Sequence, residues 1–391
     1  MTDSTTSPRF ETDCDDSPTP HDCGDIFRRF GQEYERTHDM TGVQRRVLRA
    51  VASCRTSTLG GHVGKCNSCG HEENSYNSCR DRHCPKCQGI NSRIWVAERK
   101  SELLPVQYFH LVFTVPDSLY DFVLLDPKVF YNVLMDASSE ALVRMFKEVH
   151  GAVPAVVSVL HTWGSSMCIH PHVHMVVSGG GLDVSGPGWT STPEDFLLDV
   201  RDLSSRFRDI FKRMSRRKFQ QHLEPEGVFE QDWVVFCRKP FAGAEEFVDY
   251  IGRYTHRSAI SNRRIKDFDH ETGEVTIEYK DYRSEDEDGL PELKTMELSA
   301  SEFIRRFLSH VLPKGFRKIR FYGILAGKKR SANIARCRSI FSLPALQVIE
   351  PEKTEHNICT RCGGEISFVE ELLPSGPPHI VFRNETWRKS A

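Results

Sequence analysis

Residues 54–90 gather cysteines and histidines among Gly, Asn and Ser and hold too few apolar side chains to close a core of their own. A segment of that composition folds around a metal or not at all, because the apolar surface it can bury does not offset the entropy lost on ordering. Two knuckles, Cys66-Asn-Ser-Cys69 and Cys84-Pro-Lys-Cys87, are separated by 14 residues, a spacing that lets two turns bring four thiolates into a tetrahedron. Gly70 follows the first knuckle, where a tight turn favours a residue without a Cβ. Structural Zn2+ is therefore expected on Cys66, Cys69, Cys84 and Cys87. Cys54, His62, Cys79 and His83 are left over as material for a second site. Cys359-Thr-Arg-Cys362-Gly-Gly is a half-site whose missing ligands the sequence does not identify. A redox pair would not explain two knuckles, and 13 cysteines, an odd and clustered set, point to metal before disulfides.

With 391 residues the chain exceeds one ordinary core, and two or three domains are expected. Residues 1–24 are rich in Ser, Thr, Asp and Pro and read as a disordered acidic N-terminus, with Asp3, Glu11, Asp13, Asp15, Asp16 and Asp22 against Arg9. Residues 25–104 read as a helical and zinc-binding domain: two amphipathic helices broken near Thr41-Gly42, the knuckles, then a helix over 91–104. From 105 to 345 strands and helices interleave without βαβ spacing, which predicts an α+β domain on an antiparallel sheet flanked by helices. Strands are expected over 107–114, 153–163, 169–177, 232–238, 274–279 and 317–324, and helices over 117–124, 127–149, 200–219, 244–258 and 300–312. Residues 346–391 read as a C-terminal tail carrying the half-site. No apolar run approaches the roughly 20 residues of a bilayer span, and the polar start is no secretory signal, so a cytoplasmic protein with no membrane partner is expected. The net charge of −2 averages unlike parts, because basic residues bunch at 213–218, 253–266 and 317–330. Such bunches, rather than net charge, make phosphate-binding surfaces.

His170-Pro-His172-Val-His174 lies on one of the expected strands. Alternate side chains share a face, so His-x-His there is a bidentate clamp, and metal is expected on His172 and His174, with His161 on the neighbouring strand a candidate third ligand. Over 244–258, Tyr250-Ile-Gly-Arg-Tyr254 places two phenols one helical turn apart, with Arg253 and Arg257 beside them as DNA-phosphate contacts. Taken alone, such a pair reads as packing aromatics. A phenol with a pKa near 10 becomes a useful nucleophile when a metal polarises the phosphate it attacks and cations offset its charge. The clamp and the arginines offer both.

These residues resemble the HUH endonuclease superfamily, and within it the paired-tyrosine rolling-circle transposases of bacterial insertion sequences. Phe113-Thr-Val-Pro116 is similar to the family's first strand motif, His172-Val-His174 to its His-hydrophobe-His motif, and Tyr250 to Tyr254 to its tyrosine motif. Leu59-Gly-Gly-His62 through Arg82-His-Cys-Pro-Lys-Cys87 is similar to the family's N-terminal zinc domain, and the motifs come in the same order. The resemblance implies a transposase that nicks and rejoins single-stranded DNA at element ends and target through 5′-phosphotyrosine intermediates, with Tyr250 and Tyr254 catalytic. It implies Mg2+ or Mn2+ at the nuclease site, where imidazoles alone would favour a softer ion. No Gly-x-x-x-x-Gly-Lys-Ser/Thr loop is present, so strand opening falls to a host helicase or to DNA topology, and association with the nucleoid is expected. The competing readings are a plasmid or phage replication initiator with the same chemistry, a non-enzymatic zinc-dependent DNA-binding regulator, and a metallohydrolase built on the histidines.

Overall fold

The structure, a computed structural model, describes residues 19–219, 225–238, 252, 255, 257–286, 289–346 and 358–375. Helices α1 (Cys23–Thr37) and α2 (Gly42–Ser53) each begin with a capping box, Asp22 with Asp25 and Thr41 with Gln44, which satisfies amides the first turn leaves open. Strands β1 (Gly61–Cys66) and β2 (Glu72–Tyr76) form the first hairpin, and α3 (Pro85–Ser101) starts at the second knuckle with Pro85 in its first turn.

The central sheet follows. Strand β3 (Tyr108–Thr114) leads through α4 (Tyr120–Leu125) and α5 (Pro127–His150) to β4 (Ala152–Trp163), β5 (Ile169–Asp183) and the short β6 (Trp189–Ser191). Helix α6 (Val200–Lys218) and β7 (Val234–Arg238) come next. A three-stranded antiparallel meander, β8 (Ile265–Phe268), β9 (Glu274–Glu285) and β10 (Pro291–Ser299), precedes α7 (Ala300–Ser309), β11 (Ile319–Gly323), α8 (Arg330–Ile340) and β12 (Ile366–Leu372). The main sheet runs β11-β4-β5-β3-β7, all antiparallel, so the α+β class expected from the sequence is the class observed.

One face of this sheet carries Leu111, Phe113, Leu160, Val173, Met175 and Val177 against α5 and α6, whose Phe130, Phe146, Phe207 and Phe211 are fully enclosed. Each such side chain stabilises the fold by about 1.5–3 kcal/mol, which commits that face to packing and leaves alternate residues of β4 and β5 for the other. Helix α3 lies on that other face, where Trp95 and Val96 pack against Tyr108, Val157 and Val176.

The N-terminal helices share a core with distant sequence. Ile26, Phe27, Val47, Leu48 and Val51 close on Phe268, Val275, Ile277, Phe303 and Phe307, so residues on both sides of the boundary expected at 104/105 enclose one apolar cluster. The C-terminal half-site is also drawn in, because β12 pairs antiparallel with β1. Among the described residues, no helix is long and apolar enough to cross a membrane.

Candidate active site

Strand β5 is central, flanked by β4 and β3, so the histidines do not sit on a sheet edge. Pro171 is tolerated there because it falls in the register irregularity opposite Trp163 and His161, where the ladder is already interrupted. Beyond the irregularity His172 faces His161 across the ladder, and His174 follows two residues on, which brings the three imidazoles to the face not taken by the α5 and α6 core. Their ligating nitrogens all lie within 4.8 Å of one another.

Second contacts fix how the rings are presented. The His172 Nδ1 lies 2.8 Å from the His170 carbonyl, which only accepts, so Nδ1 carries the proton and the Nε2 lone pair points outward. That Nε2 is 3.1 Å from the Nε2 of His174, so a proton or a cation must lie between the two nitrogens. Adjacent ligands of an octahedral ion with bonds of about 2.1 Å stand ~3.0 Å apart, so the pair fits a divalent cation without rearrangement. His174 is oriented by His110 of β3, whose Nε2 lies 2.9 Å from His174 Nδ1 with the rings stacked at 5.1 Å. Burial pushes His172 and His110 down to about 4 and His174 well below the ordinary imidazole value, so the rings are neutral at neutral pH, the form that binds metal. His170, grouped with the other two by strand alternation, makes a different contact: its Nδ1 meets the Tyr120 hydroxyl at 2.6 Å. His110 escaped the sequence reading; its signal was one imidazole in the otherwise apolar run Phe109-His-Leu-Val-Phe113.

A basic pocket opens beside the cluster. Trp163 stacks on His161 at 4.8 Å, and Lys318 Nζ sits 4.9 Å over the same indole while donating to the Arg257 carbonyl at 2.7 Å. Arg82, His83 and His310 also line it, and among the described residues no carboxylate does. Burial, followed by the charges of Arg82 and Arg257, lowers Lys318 to about 7. Arg82 comes from the cysteine-rich segment and is anchored to the Phe316 and Pro313 carbonyls. His83 is no metal ligand here: Asp81 holds its Nδ1 at 2.8 Å and its Nε2 accepts from the Leu312 amide at 3.1 Å.

Tyr250, Arg253 and Tyr254 lie outside the described residues. Gly252 and Thr255 between and beside them are helical. The Gly252 carbonyl accepts from Ser92 Oγ of α3 at 2.7 Å, and a Cβ at Gly252 would overlap Val96, so glycine is what allows this close approach.

The cysteines divide differently from the expected tetrad of Cys66, Cys69, Cys84 and Cys87. Cys84 and Cys87 group with Cys54 and Cys79, while Cys66 and Cys69 group with Cys359 and Cys362. The physical reason lies in the two cores: α2 delivers Cys54 into the helical cluster beside Cys84, whereas β1 carries Cys66 away to β12. In the first group the sulfurs of Cys54 and Cys79 lie 3.6 and 3.7 Å from that of Cys87. A tetrahedron with Zn–S bonds of about 2.3 Å has edges of ~3.8 Å, so these four thiols fit zinc.

A family model described as "Transposase zinc-binding domain" matches residues 26–115, and one described as "Putative transposase" matches residues 155–332. The chain is 42% identical over 346 residues to the "Putative transposase y4qJ" of Sinorhizobium fredii, covering 82% of this chain and 85% of that one. It is 28% identical over 306 residues to the transposase for insertion sequence element IS801 of Pseudomonas savastanoi pv. phaseolicola, covering 72% and 70%. No solved structure matches it. The similarity to transposases runs along most of the chain, with a zinc-binding transposase domain at its N-terminal side, and the chain belongs to the family of zinc-binding insertion-sequence transposases that includes the IS801 protein.

Proposed function

We propose that this transposase works by a rolling-circle route, nicking and rejoining single-stranded DNA with Tyr250 and Tyr254 as nucleophiles. The observation that carries the reading is the cluster of His161, His172 and His174 on the sheet face away from the α5 and α6 core, with a cationic pocket at its side. His172 and His174, with His161, would hold Mg2+ or Mn2+, which supplies Lewis-acid polarisation of the scissile phosphate. One phenol, deprotonated, bonds to phosphorus as the bond from phosphorus to the 3′-oxygen breaks; the leaving oxygen takes a proton and becomes the free 3′-hydroxyl. The 5′-phosphotyrosine keeps the energy of the phosphodiester, so a 3′-hydroxyl can attack it in the reverse sense and rejoin a strand. A second tyrosine lets donor and target strands exchange in sequence. Arg82, Arg257 and Lys318 bind the backbone phosphates beside the cut, where charge-assisted hydrogen bonds are about twice as strong as neutral ones. Gly252 seats the tyrosine-bearing segment on α3, which lies on the same face of the sheet as the imidazoles.

The test is covalent trapping on a labelled single-stranded oligonucleotide from the element's end with Mn2+ present. Wild-type protein should yield a protein–DNA adduct, Tyr250→Phe/Tyr254→Phe none, and each single substitution a reduced set of products. An adduct that persists in the double substitution overturns the reading. Duplex binding without cleavage that survives His172→Ala/His174→Ala would favour a non-enzymatic regulator instead.

A further inference from the structure

We propose that Cys66, Cys69, Cys359 and Cys362 hold a second zinc ion, assembled from the two ends of the chain. The zinc-binding family model, at residues 26–115, contains only half of these ligands. The other half arrives from nearly 300 positions away, with Cys66 Sγ 3.5 Å from Cys362 Sγ, a pair 296 residues apart, and Cys69 Sγ 3.8 Å from Cys359 Sγ. Both spacings match the ~3.8 Å edge of a zinc tetrathiolate and are far from the ~2.05 Å of a disulfide.

The two knuckles are built alike. In each, the glycine after the second cysteine is left-handed, φ 71° at Gly70 and at Gly363, and its amide donates back to the first cysteine's carbonyl, at 3.0 and 2.9 Å. In each, the first cysteine's amide closes the turn, Cys66 on the His71 carbonyl at 2.8 Å and Cys359 on the Gly364 carbonyl at 2.7 Å. Asn67 of one knuckle donates to the Glu365 carbonyl of the other at 2.9 Å, and a Cβ on Gly364 would press on Ser68, so the turns are shaped to meet.

Among the described residues, this small sheet has its strand ladders but little apolar packing. In β12, Phe368 and Val369 are 68% and 53% exposed, and β2 is exposed along most of its length. Three strands without an apolar face are marginal in water, so the cohesive element is the metal. The zinc thus fastens β12 to β1 and makes the C-terminal segment part of the N-terminal module.

The full chain loaded with Co2+ tests this, because thiolate-to-cobalt absorption reports sulfur ligation and is blind to imidazoles. Wild type should show the band of two tetrathiolate sites and, when loaded with zinc and washed of weakly held metal, two thiolate-bound ions. Cys359→Ser/Cys362→Ser should halve the band, and proteolysis should then remove the C-terminal segment while the rest of the chain resists. Cys69→Ser, at the other end, should halve it too. A wild-type band worth one site, or an unchanged band in Cys359→Ser/Cys362→Ser, overturns the proposal.

Discussion

The thiol cluster of Cys54, Cys79, Cys84 and Cys87 and the imidazole cluster of His161, His172 and His174 could each hold an ion, yet they are opposite in design. The thiols lie inside the apolar core that unites α1, α2 and α7, offer four ligands and leave no room for a fifth. The imidazoles offer three, on a sheet face next to the pocket that Arg82, Arg257 and Lys318 line, so an ion held there would have positions left for phosphate oxygens or water. A closed four-sulfur site is a folding device; an open three-nitrogen site is a working one. The sheet under the imidazoles is already held by the α5 and α6 core, so its folding does not depend on an ion at the imidazoles.

That contrast breaks most visibly if Cys84→Ser/Cys87→Ser is tolerated. Zinc in such sites contributes about 10–16 kcal/mol to folding, as much as the whole stability of an ordinary domain, so this variant should lose its cooperative thermal transition and near-ultraviolet dichroism. A native-like melting curve would place the folding energy elsewhere. His172→Ala should do the reverse: an unchanged melting temperature with strand cleavage lowered about 10³-fold, the equivalent of ~4 kcal/mol of charge stabilisation. Loss of fold in His172→Ala would erase the distinction between the two clusters.

His110→Phe sharpens it further. His110 orients His174 without facing the ion, so the concentration of Mn2+ giving half-maximal cleavage should rise about 10–100-fold while the rate at saturating Mn2+ stays near wild type. Equal loss at all metal concentrations would mean that His110 only supports packing. The smallest effect is expected at Lys318. Its folded value of about 7 lies below that of a free lysine, so the cost of charging it is full below pH 7 and is relieved as pH rises above it. An anion contact through the ammonium is therefore strongest at low pH. Affinity for a single-stranded oligonucleotide should fall about 3–10-fold between pH 6 and pH 8.5, and Lys318→Met should flatten that slope. A slope unchanged in Lys318→Met would assign it to a group outside the pocket, because burial holds His310 at about 4 and His83 below the ordinary imidazole value.

Much of the fold was legible because periodicity is a local property. The strand expected over 153–163 runs from Ala152 to Trp163, and the helix expected over 127–149 runs from Pro127 to His150, bracketed by Asp126 as cap and by left-handed Gly151. The alternation of His172 and His174 on one strand face was readable for the same reason. His110 and the Arg82–Lys318 pocket were not, because they depend on which strands and loops become neighbours. The tyrosine pair was readable as a motif, and its role rests on the trapping experiment.

What the sequence determined by itself is therefore the set of parts: three Cys-x-x-Cys half-sites with Cys54 and Cys79 left over, an antiparallel α+β core, and imidazoles in alternation. What only the tertiary structure decided is their pairing. Spacing along the chain favours joining the knuckles at Cys66 and Cys84, since they are 14 residues apart, but a closed loop costs only ~0.6 kcal/mol more for each doubling of its length. A penalty that small is overruled by a buried helix that delivers Cys54 and by a strand ladder that delivers Cys359.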